Sequence, residues 1–193
     1  RDVPQESLGK NIAMVLQEPF LFTGTILENI RYRTTDATME QVEQAAKAVG
    51  AHDLIMQLPD GYDTTLEQGG GNLSQGQRQL ISFARALVAD AKILVLDEAT
   101  ANIDSYTEKL IQKALQRLLQ NRTGLVIAHR LSTIRGSDRI IVLQDGEIVE
   151  IGTHDELMEK QGLYAKLYSM NYASFDDIPD ELIEEVRSDD SST

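Results

Sequence analysis

Apolar residues recur at helical spacing after Ser74, in the stretch NLSQGQRQLISFARAL. The positions that would share one helix face are Leu80, Ile81, Phe83, Ala84 and Leu87. Ser74 stands where an N-cap is expected, and Gln77 follows three residues later, which is the pattern of a capping box. The positive end of such a helix, with its free N–H groups, is typical of anion sites, and phosphate is the usual anion. Taken alone, the stretch is better explained as an ordinary capped helix.

Continuous apolar runs predict the strands of a sheet. Residues 92–96 (KILVL) and 123–128 (TGLVIA) are typical of parallel strands that are covered on both faces. Residues 11–16 (NIAMVL) predict another short, mostly buried strand, which ends before Pro19. Residues 105–120 predict an amphipathic helix with apolar positions at Leu110, Ile111, Ala114, Leu115, Leu118 and Leu119. This alternation of strand and helix predicts an α/β architecture.

Residues 25–89 should be mainly helical and form an insertion before that alternation. Helices are predicted over 25–32, 38–49 and 51–58, where polar cap residues and turn residues bound apolar periodic segments. The polar stretch 1–10 carries no start signal for a helix or a strand.

The C-terminal part predicts a hairpin followed by helices. Asp145-Gly146 lies between the apolar runs 139–143 and 147–151, which is a strong signal for a tight hairpin turn. A second capping box at Thr153 starts a further helix, and residues 162–172 predict another.

Composition limits the classes of partner. The 193 residues carry a formal net charge of −13, which argues against nucleic acid or anionic lipid as the main partner. Residues 174–193 contain eight acidic residues and one basic residue, and this composition predicts a disordered acidic tail over 173–193. The chain has no cysteine, which excludes a disulfide framework and a thiolate metal site. Since no apolar run approaches the roughly 20 residues that span a bilayer, any membrane link is expected through another segment or partner.

Polar side chains follow each of the three predicted strands: Gln17, the pair Asp97-Glu98, and His129. In α/β sheets, ligands bind at the carboxyl ends of the strands. Asp97 is placed to hold Mg²⁺ directly or through water, and the Gln17 amide oxygen could serve the metal or a water. Glu98 points elsewhere because successive side chains alternate, and it is placed to orient or deprotonate a water that attacks a γ-phosphate. His129 could donate a hydrogen bond to that phosphate. Each residue alone is also compatible with a solvated strand end.

Five motifs in order resemble those of an ATP-binding cassette (ABC) domain. They are the glutamine of the Q-loop at Gln17, the signature motif at 73–79 (LSQGQRQ), Walker B at 93–100 (ILVLDEAT), the D-loop at 102–104 (NID) and the H-loop at 127–133 (IAHRLST). The blocks VLQEPFLFTGTILENI and GYDTTLEQGG resemble the exporter branch, which is related to multidrug, peptide and lipid transporters. The resemblance covers residues 1–172. It implies a P-loop NTPase-like α/β fold with a mainly parallel sheet, a helical insertion subdomain over 25–89, and a C-terminal hairpin plus helices.

The resemblance also implies a function that is shared between two chains. Cassettes pair head to tail, as a homodimer or a heterodimer, and each ATP lies between the phosphate-binding loop of one and the signature motif of the other. The catalytic residues so implied are Glu98 and His129, and the Mg²⁺ ligands are Asp97 and Gln17. The residues implied to bind ATP are Gln17, Ser74, Gln75, Gly76, Gln77 and Asp104. Ser74 and Gly76 would contact the γ-phosphate of the partner's nucleotide, and Asp104 would lie at the pair interface.

The further partner implied is a transmembrane domain on the same parent chain, with no role for nucleic acid. That partner would hold the chain at the cytoplasmic face of a membrane, by expectation the plasma membrane, where ATP hydrolysis would drive substrate transport.

Two of the departures from the family pattern concern phosphate binding. The phosphate-binding sequence G-x-x-x-x-G-K-[ST] is absent, because Asn11 follows the lysine of Gly9-Lys10 and Pro4 stands where its first glycine should be. The expectation is therefore that the sequence starts just past that region and is a fragment of a larger protein. Gln75 replaces the usual signature glycine, which should be tolerated if its backbone is helical.

Two other functions stay open at this point. The chain could be a non-catalytic cassette half that supplies only a signature face to a partner's ATP. It could also be a cassette ATPase that acts on nucleic acid or in translation, although long coiled-coil arms and basic surfaces are absent from the sequence.

Overall fold

The computed structural model of the chain describes residues 4–97, 105–128 and 131–172. These residues belong to two compact units, 1–127 and 128–193. The first unit contains α1 (Gln5–Asn11), β1 (Ile12–Val15), β2 (Gly24–Thr25), α2 (Ile26–Arg31), α3 (Met39–Ala48), α4 (His52–Met56), β3 (Thr65–Leu66), α5 (Gln75–Val88), β4 (Ile93–Asp97), α6 (Ser105–Leu119) and β5 (Thr123–Ile127). The second unit contains α7 (Leu131–Arg135), β6 (Ile140–Gln144), β7 (Glu147–Gly152), α8 (His154–Glu159) and α9 (Leu163–Tyr172).

A parallel sheet of β1, β4 and β5 forms the centre of the first unit, with β4 in the middle. The three predicted strands and their parallel arrangement are confirmed. The register pairs Val15 with Leu96 and Asp97 with Ile127, so the carboxyl ends of the strands lie at one edge. One face of the sheet is buried, where Leu94 and Leu96 join apolar residues of α5 and α6 in a single core.

The other face of this sheet is open. Leu125 and Ile127 are 58% and 55% exposed, and Met14 is 61% exposed. The prediction that residues 92–96 and 123–128 form strands covered on both faces is therefore wrong in the part of the chain that the structure describes. Side chains alternate along a strand, so an apolar run describes both faces, whereas burial also needs a layer of structure packed on each face.

The helix that begins at Ser74 is α5, and it packs against α2, α3 and α6. The predicted apolar positions Leu80 and Ala84 are fully buried, while Leu87 is partly buried. The expectation of one buried face is too narrow, because Gln79 and Ser82 are also buried, at 5% and 7% exposure. Three neighbouring helices surround α5, so polar residues that the sequence pattern places outside the apolar face are covered as well.

The helices predicted between residues 25 and 58 are observed as α2, α3 and α4. The capping boxes of α2 and α3 explain where they begin: Thr25 and Thr38 each accept a hydrogen bond from the backbone N–H three residues later. The sequence did not predict α1, which covers most of the polar stretch 1–10, or the two strands of the antiparallel pair β2–β3. Strands of two residues carry no periodic signal, and α1 is short and begins without a side-chain cap.

The second unit confirms the predicted hairpin and helices. Asp145 and Gly146 have φ values of 53° and 83°, which is the left-handed pair that a type I′ hairpin turn requires. Thr153 and Glu156 form the predicted capping box of α8. The acidic tail from residue 173 onward lies outside the described residues. None of the helices in the described ranges has the length and apolar character of a bilayer span.

The carboxylate of Glu150 on β7 caps the start of α9. Its Oε1 accepts from the Leu163 N–H (3.1 Å) and its Oε2 accepts from the Tyr164 N–H (2.8 Å). A Cβ added at Gly162 would overlap this carboxylate, so a larger residue there would displace the carboxylate from the N–H groups that it caps. A negative group at a helix N-terminus is also attracted to the positive end of the helix dipole.

Replacing Glu150 by glutamine should loosen α9, because the amide NH₂ can no longer accept one of the two N–H groups. We expect amide hydrogen exchange of Leu163 and Tyr164 to accelerate by about tenfold or more, since hydrogen bonds to charged groups contribute about 1.5–3 kcal/mol. Glu147→Gln is the matched control, because Glu147 is exposed on the same strand. Equal exchange in the two variants would contradict a capping role for Glu150.

Candidate functional site

Two of the predicted strand-end residues lie at the same edge of the sheet. Asp97 is the last residue of β4, and Gln17 follows the end of β1 by two residues. Because β1 and β4 are adjacent and parallel, both residues project from the carboxyl edge. Asp97 is half-buried and Gln17 is exposed, so both stay accessible to a ligand.

This edge fits a magnesium ion. Mg²⁺ prefers oxygen ligands and is usually held by one or two protein groups, with waters and substrate phosphates completing the octahedron. The Asp97 carboxylate and the Gln17 amide oxygen are donors of this kind. Within the described ranges no cluster of three or more acidic or histidine side chains could form a cage from protein groups alone.

Three predicted site residues lie outside the described residues, namely Glu98, Asp104 and His129. Glu98 directly follows Asp97 at the end of β4, and His129 comes two residues after the end of β5. Their proposed roles therefore rest on sequence.

The first turn of α5, which we call the signature helix, presents polar groups to solvent. Ser74 is exposed, and its Oγ accepts from the Gln77 N–H (3.2 Å) while the Gln77 Oε1 accepts from the Ser74 N–H (2.9 Å). The hydroxyl of Ser74 still has a proton to donate to a further group. The N–H groups of Gln75 and Gly76 come before the first intrahelical bond, which runs from the Arg78 N–H to the Ser74 carbonyl (3.0 Å), so the helix itself does not use them. Gln75 is half-buried and Gly76 is buried, so Ser74 is the most accessible group of this turn.

The glutamine that replaces the usual signature glycine causes no backbone strain. Gln75 is the first residue of α5, and its φ is not positive. The condition under which Gln75 should be tolerated is therefore met, because a residue with a side chain occupies helical backbone without cost.

The turn before Ser74 is braced by two side chains that sequence reasoning did not single out. Arg78 donates from Nη1 to the carbonyl oxygens of Leu73 (2.7 Å) and Gly70 (3.4 Å). Asn72 donates to the Thr65 carbonyl (3.0 Å) and accepts from the Glu67 N–H (3.2 Å). Both sets of bonds join residues that are five to eight positions apart in the chain, and no periodic pattern predicts them.

Among the described residues, the signature helix end and the sheet edge have no direct polar contact with each other. In the part of the chain that the structure describes, no hydrogen bond or ion pair joins Ser74 to Gln17 or Asp97. The side-chain hydrogen bonds between α5 and the segment after Gln17 are made by Arg85, which lies about 16 Å along the helix axis from Ser74. The oxygen donors at the sheet edge and the polar groups at the start of α5 are therefore two distinct half-sites of the prediction, the first for a metal and the second for an anion.

Comparison with known proteins decides the family. A sequence model described as "ABC transporter" matches residues 1–101, which is more than half of the chain. This chain belongs to the ABC transporter family. The ABC family resemblance seen in the motifs is thus confirmed, as is the α/β fold class.

Similar ABC proteins include bacterial transporters. An uncharacterized ABC transporter ATP-binding protein, YfiC of Bacillus subtilis, is 54% identical over 172 residues, covering 89% of this chain and 28% of YfiC. An ATP-dependent lipid A-core flippase of Desulfotalea psychrophila is 54% identical over 170 residues, covering 88% of this chain and 30% of the flippase. The structure of a bacterial Atm1-family ABC exporter with ATP bound superposes with a TM-score of 0.80 at 39% identity, covering 92% of this chain and 31% of the exporter. This ABC chain thus spans about three tenths of the length of these relatives.

Proposed function

We propose that this chain is the ATP-binding and ATP-hydrolysing motor part of an ABC exporter. The observation that carries the proposal is the placement of Gln17 and Asp97 at one sheet edge, with the exposed Ser74 hydroxyl on a different element, at the start of the signature helix. Such a division suits a head-to-tail pair, in which each ATP needs groups from two chains. The similarity to the lipid A-core flippase and to the ATP-bound exporter supports the proposal that ATP hydrolysis drives the export of a substrate.

The roles of the residues follow from their chemistry. Asp97 and Gln17 hold Mg²⁺, which when bound neutralises charge on the phosphates. Glu98 orients and activates the attacking water, and His129 donates a hydrogen bond to the γ-phosphate.

The residues of the pair interface serve the partner's nucleotide. Ser74, Gln75, Gly76 and Gln77 offer the hydroxyl, backbone and amide groups of a helix N-terminus to that γ-phosphate, and Asp104 lies at the interface of the pair.

The partners of the complete transporter are then a second nucleotide-binding domain and a transmembrane domain, with the chain at the cytoplasmic face of the membrane. We use "complete transporter" for the protein in which this chain is joined to its membrane domain and paired. A non-catalytic half that supplies only a signature face is the second candidate, and the presence of Glu98 and His129 in the sequence disfavours it.

The isolated chain and the complete transporter should differ in ATP hydrolysis. We expect the 193-residue chain alone to bind MgATP weakly and to hydrolyse none, because its sequence contains no phosphate-binding loop. Calorimetry that finds micromolar MgATP affinity in the isolated chain would contradict this division. We expect the complete transporter in lipid vesicles to hydrolyse MgATP, and lack of hydrolysis there would contradict the motor function itself.

A further inference from the structure

The side chain of Arg85 connects the signature helix to the segment that follows Gln17. Its Nε donates to the Asn29 carbonyl (2.8 Å), its Nη2 to the Asn29 Oδ1 (2.8 Å) and its Nη1 to the Phe20 carbonyl (2.9 Å). These partners lie 56 and 65 residues away along the chain. The planar fork of a guanidinium matches three fixed acceptors in a way that a single ammonium cannot.

Asn29 makes the loop after Gln17 rigid. It is 2% exposed, and its Nδ2 donates to the carbonyl oxygens of Phe22 (2.9 Å) and Thr25 (3.0 Å). Its Oδ1 accepts from the Phe22 N–H (2.8 Å) as well as from Arg85. The Nδ2 and Oδ1 atoms of the buried Asn29 amide thus close residues 22–25 into one turn. Breaking these bonds would leave buried polar atoms without partners, which costs considerable free energy.

Two stacked aromatic rings lie beside the guanidinium. Phe22 and Tyr32 stack with their centroids 4.2 Å apart, and the Cζ of Arg85 lies 5.6 Å from each centroid. Burial lowers the pKa of the Arg85 guanidinium, yet arginine stays protonated because its ordinary pKa is very high. Partial exclusion of water strengthens both the hydrogen bonds and the cation–π contacts, so this connection is stiffer than a surface contact.

The position of Arg85 places this connection between the two half-sites. Arg85 follows Ser74 by eleven residues in one uninterrupted helix, and Phe20 follows Gln17 by three residues. In the part of the chain that the structure describes, the side-chain hydrogen bonds between α5 and residues 17–31 all come from Arg85. A displacement of the Ser74 end along α5 would therefore reach the loop after Gln17 through the hydrogen bonds of this side chain, in addition to the apolar packing of α5 against Leu21 and α2.

We propose that Arg85 is a positioning residue that, through Asn29, makes the signature helix and the loop after Gln17 move as one body. The inference rests on the proposed function, in which Ser74 responds to a partner's nucleotide and Gln17 responds to the chain's own. Arg85 touches no nucleotide in this proposal, and its role is to transmit the state of one half-site to the other.

The test is amide hydrogen exchange of the complete transporter with and without MgATP, comparing the wild type with Arg85→Lys. Without nucleotide, Arg85→Lys should speed exchange of the Phe22 amide by about tenfold or more while amides of α5 at Leu80–Ala84 keep their protection, which reports intact folding. With MgATP, the wild type should change exchange at both Ser74–Gln77 and Phe20–Gly24. In the Arg85→Lys variant, MgATP should still change amide exchange at Ser74–Gln77 but should no longer change it at Phe20–Gly24.

Arg122→Lys is the matched control, because Arg122 is also half-buried in the first unit and donates to the Leu118 carbonyl (3.1 Å) and to Asp90 (2.8 Å). It should alter neither segment. The proposal is overturned if Arg85→Lys leaves exchange of Phe22 at the wild-type rate, or if its loop still responds to MgATP. If the wild type shows no response to MgATP anywhere, the proposed function and the transmission both fail, while the nucleotide-free comparison still decides whether Arg85 holds the loop.

Discussion

In the complete transporter, Glu98→Gln should leave MgATP binding intact and lower the rate of hydrolysis by roughly a hundredfold to ten-thousandfold, the usual contribution of general acid–base catalysis. Glutamine has nearly the shape of glutamate, and it can still orient a water. It cannot accept the proton that the water loses during attack on the γ-phosphate. The measurement is phosphate release under saturating MgATP, beside an equilibrium binding assay on the same preparation.

Glu147→Gln provides the comparison for that experiment, since it removes one carboxylate from an exposed strand position outside the proposed site. It should hydrolyse ATP at the wild-type rate. Wild-type turnover in Glu98→Gln would remove Glu98 from the catalytic role, and loss of binding in that variant would indicate a structural role instead.

Ser74→Ala should lower kcat/KM for ATP hydrolysis far more than the loss of the helix cap can explain. If the Ser74 hydroxyl donates to a γ-phosphate, its removal costs about 1.5–3 kcal/mol, or roughly a tenfold to hundredfold loss in kcat/KM. The lost cap itself costs about 1 kcal/mol of stability. The measurement is the ATP dependence of hydrolysis together with thermal unfolding.

Thr38→Ala offers a closely matched control. Thr38 caps α3 with the same geometry, since its Oγ1 accepts from the Gln41 N–H at 3.2 Å, the distance found between Ser74 and Gln77. Both variants should lose similar stability, and only Ser74→Ala should lose ATP use. Equal kinetics in the two variants would mean that Ser74 is only a cap.

A mixed pair of chains distinguishes a site shared between partners from a site within one chain. When a Glu98→Gln chain pairs with a Ser74→Ala chain, a head-to-tail arrangement puts both changes in one ATP site and leaves the other intact. When a chain with both changes pairs with a wild-type chain, each of the two ATP sites contains one of the substitutions. We therefore expect more hydrolysis from the first pair than from the second, and the reverse order would contradict the head-to-tail arrangement.

The features that the sequence alone predicted correctly are those fixed by interactions between residues close together in the chain. The start of the signature helix at Ser74, the hairpin turn at Asp145-Gly146 and the strand that ends in Asp97 are confirmed. Each depends on neighbours within about four residues, where caps, turns and side-chain alternation leave few choices. The order of the motifs along the chain was likewise sufficient to predict the family, because spacing in the sequence is the property that defines them.

The tertiary structure alone decided which distant residues meet. Arg85 and Asn29 are 56 positions apart, and an arginine inside a helix looks like an ordinary surface residue in the sequence. Glu150 caps a helix that starts thirteen residues later, and only the path of the chain through α8 brings the two together. The sheet face that carries Leu125 and Ile127 is open although its sequence is apolar. Burial and long-range hydrogen bonds depend on how elements pack in three dimensions, and the pattern of a single segment does not contain that information.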